Sequence, residues 1–220
     1  MVSGELIDMA KHLGNLKCKV WANMMDVVHF TPVTLDPNTA HPDLIFTEDL
    51  SSVRDSDENE EVESGGESGN ILKLPTNPER FNASPFVLGS QGFQFGIHSW
   101  DVEVGDNTFW MIGIATKPVK RMGQSFFPSK IWSVSYDHGR LGSRSPGQPY
   151  APISLNGKLE RIRVRLDLQH RKVTFSDPLT HTHLYTFSDY FTEAVFPFFY
   201  TLCSDCPLRI LPQAPLGILK

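Results

Sequence analysis

The sequence predicts an all-β fold, a sandwich or barrel of short strands, and three observations carry that prediction. From residue 81 onward, alternating runs follow one another with Gly or Pro at most joints. Short strands separated by regular turn signals are the pattern of sandwiches and barrels. The run Phe95-Gly96-Ile97-His98-Ser99-Trp100-Asp101-Val102-Glu103-Val104-Gly105-Asp106 alternates apolar with polar residues and ends in a Gly-Asp turn. Successive strand side chains point to opposite faces, so Trp100, Val102 and Val104 share one face and Ser99, Asp101 and Glu103 the other. A second run, 110–115, follows at once, so the two are expected to pair as a β-hairpin with one buried face. The third observation is the run 161–168, in which Ile162, Val164, Leu166 and Leu168 face inward and the charged residues outward. A strand this rich in Arg also resists edge-to-edge aggregation.

The elements follow in order. Residues 4–24 read as a helix, because Leu6, Met9, Leu13, Leu16 and Val20 recur at spacings of three and four. The stripe covers roughly two heptads, short for an independent coiled coil, and Gly14 weakens its interior. It suits either packing onto the β domain or the tail of a longer coiled coil. Residues 29–37 form a connector, since Pro32 and Pro37 oppose helix. Leu44, Phe46 and Leu50 suggest a short strand. Residues 55–70 mix acidic residues with Ser and Gly and lack the apolar groups that would offset ordering entropy, so they read as a disordered acidic insert. The remaining strands are expected at 86–88, 99–104, 110–115, 131–136, 161–168, 172–176, 183–187, 195–200 and 208–211.

Composition narrows the function. With 220 residues, 40% hydrophobic content and 15 Phe, the chain can bury one sizeable β core. No apolar run approaches the roughly 18 residues that span a bilayer. Glu5 and Asp8 interrupt the apolar N-terminus and spoil it as a secretory signal. A cytoplasmic protein without membrane contact is expected. The net charge of -5 comes from Asp55, Asp57, Glu58, Glu60, Glu61, Glu63 and Glu67; without those seven it is about +2, and no basic stripe suggests nucleic acid.

Three blocks of residues resemble one family. Leu35-Asp36-Pro37 with Thr39-Ala40-His41-Pro42 resembles the opening of a PRY segment. Trp100-Asp101-Val102-Glu103 resembles the central SPRY motif, with Asp101 in place of Glu. Leu166-Asp167-Leu168-Gln169 with Val173-Thr174-Phe175-Ser176-Asp177 resembles a third block, in which Leu168 and Gln169 replace Tyr and Glu. Pro207-Leu208-Arg209-Ile210-Leu211-Pro212 fits the family's close. The chain is thus identified as a B30.2 (PRY-SPRY) domain over residues 33–213, with PRY at about 33–85 and SPRY at about 86–213. Residues 1–32 would be the helix and connector ending a coiled coil, and 214–220 a tail. The stretch from Leu6 to Leu16 resembles the segment before B30.2 in fish tripartite-motif (TRIM) proteins of the zinc-binding protein A33 type. The resemblance implies a bent antiparallel sandwich, a concanavalin-like jelly roll, whose loops capture a target protein. The RING and B-box modules of that family need more cysteines than the three present, so ubiquitin-ligase activity is not expected of these residues. The chain looks like the C-terminal part of such a protein or a truncated paralogue, at the substrate-recognition end of a TRIM-type ubiquitin ligase or innate-immune factor.

Catalytic and metal chemistry find little footing. Ser99, His98 and Asp101 are close in sequence, but only Ser99 and Asp101 share a face, and no G-x-S-x-G elbow is present. His181 and His183 could put two ligands on one strand face, with no third ligand marked by spacing. Cys203 and Cys206 have C-x-x-C spacing without a second such pair, and read as two loop thiols. No cofactor and no metal are expected. Trp100, Trp110 and Trp132 are expected in the core, which turns Met111, Ser135 and Asp137 the other way. The resemblance places those strands on the target-binding face, with 136–140 as a turn and 200–205 as a loop on its rim. The candidate binding residues are Met111, Ser135, Asp137, His138, Tyr200, Thr201, Ser204 and Asp205. Two other readings stand beside this one. An assembly fragment would self-associate through Leu6, Met9, Leu13, Leu16 and Val20, and a lectin-like sandwich would bind glycans.

Overall fold

The alternation read from the sequence becomes two sheets that bury their apolar faces against each other. The computed structural model describes residues 33–56, 79–116, 130–155 and 157–212. Strands are numbered in chain order. One seven-stranded sheet runs β1 (Leu44–Phe46), β2 (Ser52–Asp55), β13 (Leu208–Leu211), β4 (Ile97–Glu103), β9 (Arg161–Asp167), β10 (Lys172–Ser176) and β11 (His183–Ser188). The other, six-stranded, runs β3 (Phe86–Leu88), β12 (Val195–Thr201), β5 (Phe109–Thr116), β6 (Ile131–Asp137), β7 (Arg140–Arg144) and β8 (Ala151–Ile153). The pairings between named strands are antiparallel. The predicted helix and coiled-coil stripe, most of the acidic insert and the tail lie outside the described residues.

Between the sheets sit Trp100, Val102, Trp110, Ile112, Ile114, Trp132, Val134, Ile162, Val164 and Leu166, all buried in one cluster. The three tryptophans therefore fill the core as their positions predicted. Burying a large apolar side chain contributes about 1.5–3 kcal/mol, so this cluster supplies much of the driving force for folding. The polar face of β4 and β9 points outward. There Arg163 makes a bidentate bond to Asp101, Nε to Oδ1 at 2.7 Å and Nη2 to Oδ2 at 2.8 Å, directly across the pair Asp101↔Arg163.

Several expectations are corrected. The runs around Gly105-Asp106 do not form a hairpin, because β4 belongs to the seven-stranded sheet and β5 to the six-stranded one. The turn is an arch that carries the chain across the core, so Trp100 and Trp110 face each other's layer rather than sharing one. Leu50 is not in a strand; it occupies a turn at φ 56°, and Leu35 N–H donates to its carbonyl. Asp55, placed in the acidic insert, closes β2, and its N–H donates to Cys203 O at 3.0 Å. Sequence reasoning passed over β2, β7 and β8, whose Ser, Gly, Arg and Pro carry weak strand propensity.

Candidate functional site

Three connections meet at one end of the sandwich, and Asn107 ties two of them together. Asn107 sits in the β4–β5 arch and is 3% exposed. Its Nδ2 donates to Thr201 Oγ1 at 2.9 Å and to Cys206 O at 2.6 Å, while its Oδ1 accepts from Phe109 N–H at 3.0 Å. The β6–β7 connection is the two-residue turn His138-Gly139, with φ 43° and 95°. Positive φ at both central residues marks the turn whose twist matches its flanking strands, and Gly139 adopts it at no steric cost. The third connection, residues 202–207, hangs from Asp55 and Phe109 by Asp55 N–H to Cys203 O and Leu202 N–H to Phe109 O. Neighbouring strands thus hold both loops in place.

The predicted site residues divide into two groups. Ser135, Asp137, His138, Ser204 and Asp205 lie on this end or on the outer face next to it, half-buried or exposed. His138 Nδ1 is 2.8 Å from Asp137 Oδ1, and the imidazole packs 6.3 Å from the Phe109 ring. Met111, Tyr200 and Thr201 are covered instead. Alternation does point Met111 and Tyr200 away from the central core. There, however, they enter a second apolar cluster with Phe81, Phe86, Leu88, Ala115, Ile131 and Phe198. Phe86 lies 4.9 Å from the Tyr200 ring, so the segment 81–88 roofs this half of the outer face. Burial, and then the Asp55 carboxylate, pushes the Tyr200 phenol up to about 12. Thr201 faces the Asn107 amide rather than a partner. The expected loop at 200–205 accordingly starts later, because β12 runs through Thr201. The 136–140 turn is likewise shorter than expected, since Tyr136 and Asp137 belong to β6 and Arg140 to β7.

The uncovered half of the outer face spans β6 to β8. Ser135 pairs with Gly142, and Gly142 pairs with Pro152. The Tyr150 ring lies over Gly142, where an added Cβ would come within 2.1 Å of it. Tyr150 is 43% exposed and Leu202, in the adjoining loop, 48%. Neither was singled out from sequence; Tyr150 follows a Gly-Gln-Pro turn that gave no strand signal. Asp137, His138, Arg140 and Asp205 are exposed as well. A separate cleft of about 850 Å³ opens beside Val33, Trp100 and Pro212, at the point where both ends of the described domain emerge. None of the predicted site residues lines it.

Among the described residues, the hydrolase and metal readings gain no geometry. Ser99 Oγ donates to Val164 O, Asp101 is held by Arg163, and His183 Nε2 is 2.8 Å from Thr186 Oγ1.

Comparison with known proteins agrees with the sequence blocks. A PRY (SPRY-associated domain) model matches residues 33–93 and a SPRY domain model residues 97–211. The chain is 34% identical over 189 residues to "Nuclear factor 7, ovary" of Xenopus laevis, covering 84% of this chain and 29% of that protein. It is 31% identical over 202 residues to "E3 ubiquitin-protein ligase TRIM69" of Mus musculus, covering 90% of this chain and 38% of that protein. The chain therefore spans about a third of the length of these relatives. Among solved structures, the TRIM65 PSpry domain superposes with a TM-score of 0.65 at 21% identity, covering 96% of this chain and 100% of that one. At that identity the likeness shows the fold.

Proposed function

Because the chain belongs to the SPRY family and carries that family's PRY segment in front, we propose that it captures a target protein on the surface between the 202–207 loop and Tyr150. SPRY domains of TRIM-type proteins are interaction modules, and the domain itself is not an enzyme. The observation that carries the reading is the exposure of two large side chains, Leu202 in the loop bonded to Phe109 and Tyr150 over Gly142, at strands whose exposed residues include Asp137, His138 and Arg140. Interfaces concentrate their energy in a few such central groups, surrounded by polar residues that exclude water. The loops are held from behind by Asn107, so little ordering entropy is lost on binding. The likeness to an E3 ubiquitin-protein ligase supports a role as the substrate-recognition end of a TRIM-type ubiquitin ligase, and we extend the proposal to a cytoplasmic protein or an innate-immune factor of that build. Catalysis would then lie in other modules.

Proximity labelling with the wild type and with Ser135→Arg identifies targets that depend on this face. Calorimetry on a recovered target then decides. Ser135→Arg and Leu202→Arg should each weaken binding by about 1–4 kcal/mol. Arg165→Ala, on the exposed outer face of β9, should leave binding unchanged. It is a cleaner control than Arg163→Ala, which would break the bond to Asp101. Loss of binding with Arg165→Ala, while Ser135→Arg is silent, would move the interface to the other sheet.

A further inference from the structure

The seven-stranded sheet has a notch in it. β4 pairs with β9 from Ile97 to Glu103, but on its other side, among the described residues, it pairs with β13 only from Asp101 to Glu103. Leu168 N–H donates to Gly96 O, which fixes the alternation. The even-numbered residues of β4 bond β9, and Ile97 and Ser99 turn their N–H and C=O groups to the side where β13 has ended. That edge opens on the cleft of about 850 Å³, which Val33, Ser51, Ser99, Trp100 and Pro212 help to line. Trp100 is 1% exposed, yet its Nε1–H is buried without an acceptor among the described residues. A buried donor without a bond and an unpaired stretch of strand edge are both exceptions in folded proteins. Both call for one more strand at this edge.

We propose that the notch is the docking site of the chain's own residues 27–32, which add a strand to the edge of β4. Three observations choose this occupant. Val33 lines the cleft, so Thr31, two residues before it, lies no more than about 7 Å away along the chain. Val27-Val28-His29-Phe30-Thr31 is rich in the β-branched and aromatic residues that suit strands, and Thr31, standing before a proline, is pushed to extended backbone. Val33 and Leu35 are both buried, so period two sets Thr31 and His29 in the same inward row, toward the layer of Trp100. The Thr31 hydroxyl and the His29 imidazole are then acceptors for the Trp100 indole, which gives two polar residues a reason to face inward.

The C-terminal tail fits the notch less well. Continuing the register of β13 would set Gln213 opposite Ser99 and Pro215 opposite Ile97, where proline has no N–H to give. With residues 27–32 docked, only residues 25 and 26 would separate the sandwich from the helix expected over 4–24, so the two would turn as one body. The inference is independent of target recognition, since none of the residues proposed for that surface lines the cleft.

The experiment is nuclear magnetic resonance on the full chain. Overhauser contacts should join residues 27–32 to Ile97 and Ser99 in the wild type. The Ser99 amide should exchange with solvent about tenfold faster in His29→Pro or in Phe30→Pro than in the wild type. Successive N–H groups of a strand alternate in direction, so one of the two prolines removes a bond to β4. Gln213→Pro runs alongside and should change nothing. Thr31→Val and His29→Phe test the indole, and one of them should move the Trp100 Nε1–H resonance. A Ser99 amide that exchanges fast in the wild type, without Overhauser contacts to residues 27–32, would overturn the proposal. So would loss of protection in Gln213→Pro alone, which would assign the notch to the tail. Protection that rises with protein concentration would overturn it as well, by assigning the notch to a second copy of the chain. The Overhauser contacts are read on the unmodified chain and decide the matter even where a proline variant fails to fold.

Discussion

Gly113 and Gly142 face the same side of the six-stranded sheet, yet the same substitution should affect them differently. A Cβ on Gly113 would meet the Trp132 carbonyl oxygen at 2.0 Å and the Ser133 Cα at 2.7 Å. Backbone cannot swing aside, so Gly113→Ala should cost about 1–3 kcal/mol in urea unfolding. A Cβ on Gly142 would meet only the far end of the Tyr150 ring, at 2.1 to 2.3 Å. That ring is exposed and can rotate away, so Gly142→Ala should stay within about 0.5 kcal/mol of wild type while displacing Tyr150 from the binding surface. Tyr200 makes a different residue-scale prediction. Its phenol ionises near 12 instead of 10.0, because burial and then Asp55 disfavour the phenolate. A pKa raised in the fold means the neutral form is preferred there. The stability this gives is complete below about pH 10 and is lost as the pH rises through about 12. Ultraviolet titration should therefore show one of the five tyrosines ionising late. Tyr200→Phe should remove that step and flatten the alkaline loss of stability.

At the scale of elements, the β4–β5 arch is the joint that matters most. A hairpin would satisfy its turn within one sheet, whereas an arch must span two. Asn107 does this by bonding Phe109 ahead of it, and Thr201 and Cys206 from the far end of β12 and the loop beyond. Asn107→Ala should cost at least about 1–3 kcal/mol, the penalty for leaving buried polar groups without partners. It should also loosen the 202–207 loop, measurable as faster amide exchange at Leu202. Asp106→Ala, one residue earlier, removes only the solvent-exposed pair with Lys158 and should leave the melting temperature where it was. Asp177 shows how a motif residue earns its place in another connection. Its carboxylate accepts from Leu179 N–H, Thr180 N–H and Thr180 Oγ1, and so caps the β10–β11 turn. The third resemblance block thus marks a turn, not a binding residue.

Across the whole molecule, the PRY segment is structural. Phe81, Phe86 and Leu88 cover Met111, Phe198 and Tyr200 on a sheet face that would otherwise meet water. Leu35 and Val53 enter the central core with Trp100 and Ile210. Residues 33–212 should therefore unfold in one transition, with coincident circular dichroism and fluorescence changes. A chain beginning at residue 97 should expose the outer cluster, bind a hydrophobic dye and aggregate. Two resolved transitions in the longer chain would show that PRY and SPRY are separate cooperative units.

The sequence by itself determined the fold class, the family and the inward side of β4, β5, β6 and β9. Side-chain direction has a period of two, and tryptophans at positions 100, 110 and 132 can be assigned to a face without any distant contact. The β9 stripe of Ile162, Val164 and Leu166 was equally readable, as was the outward row of Arg161, Arg163 and Arg165. Only the tertiary structure decided which sheet β5 joins, because the same alternation and the same Gly-Asp turn serve a hairpin or an arch. It also decided which outward residues are open. Period two says that Met111 and Tyr200 leave the core, but whether solvent awaits them depends on Phe81 and Phe86, brought over from elsewhere in the chain. Burial of an outward face is a long-range property, and no local pattern around Met111 or Tyr200 encodes it.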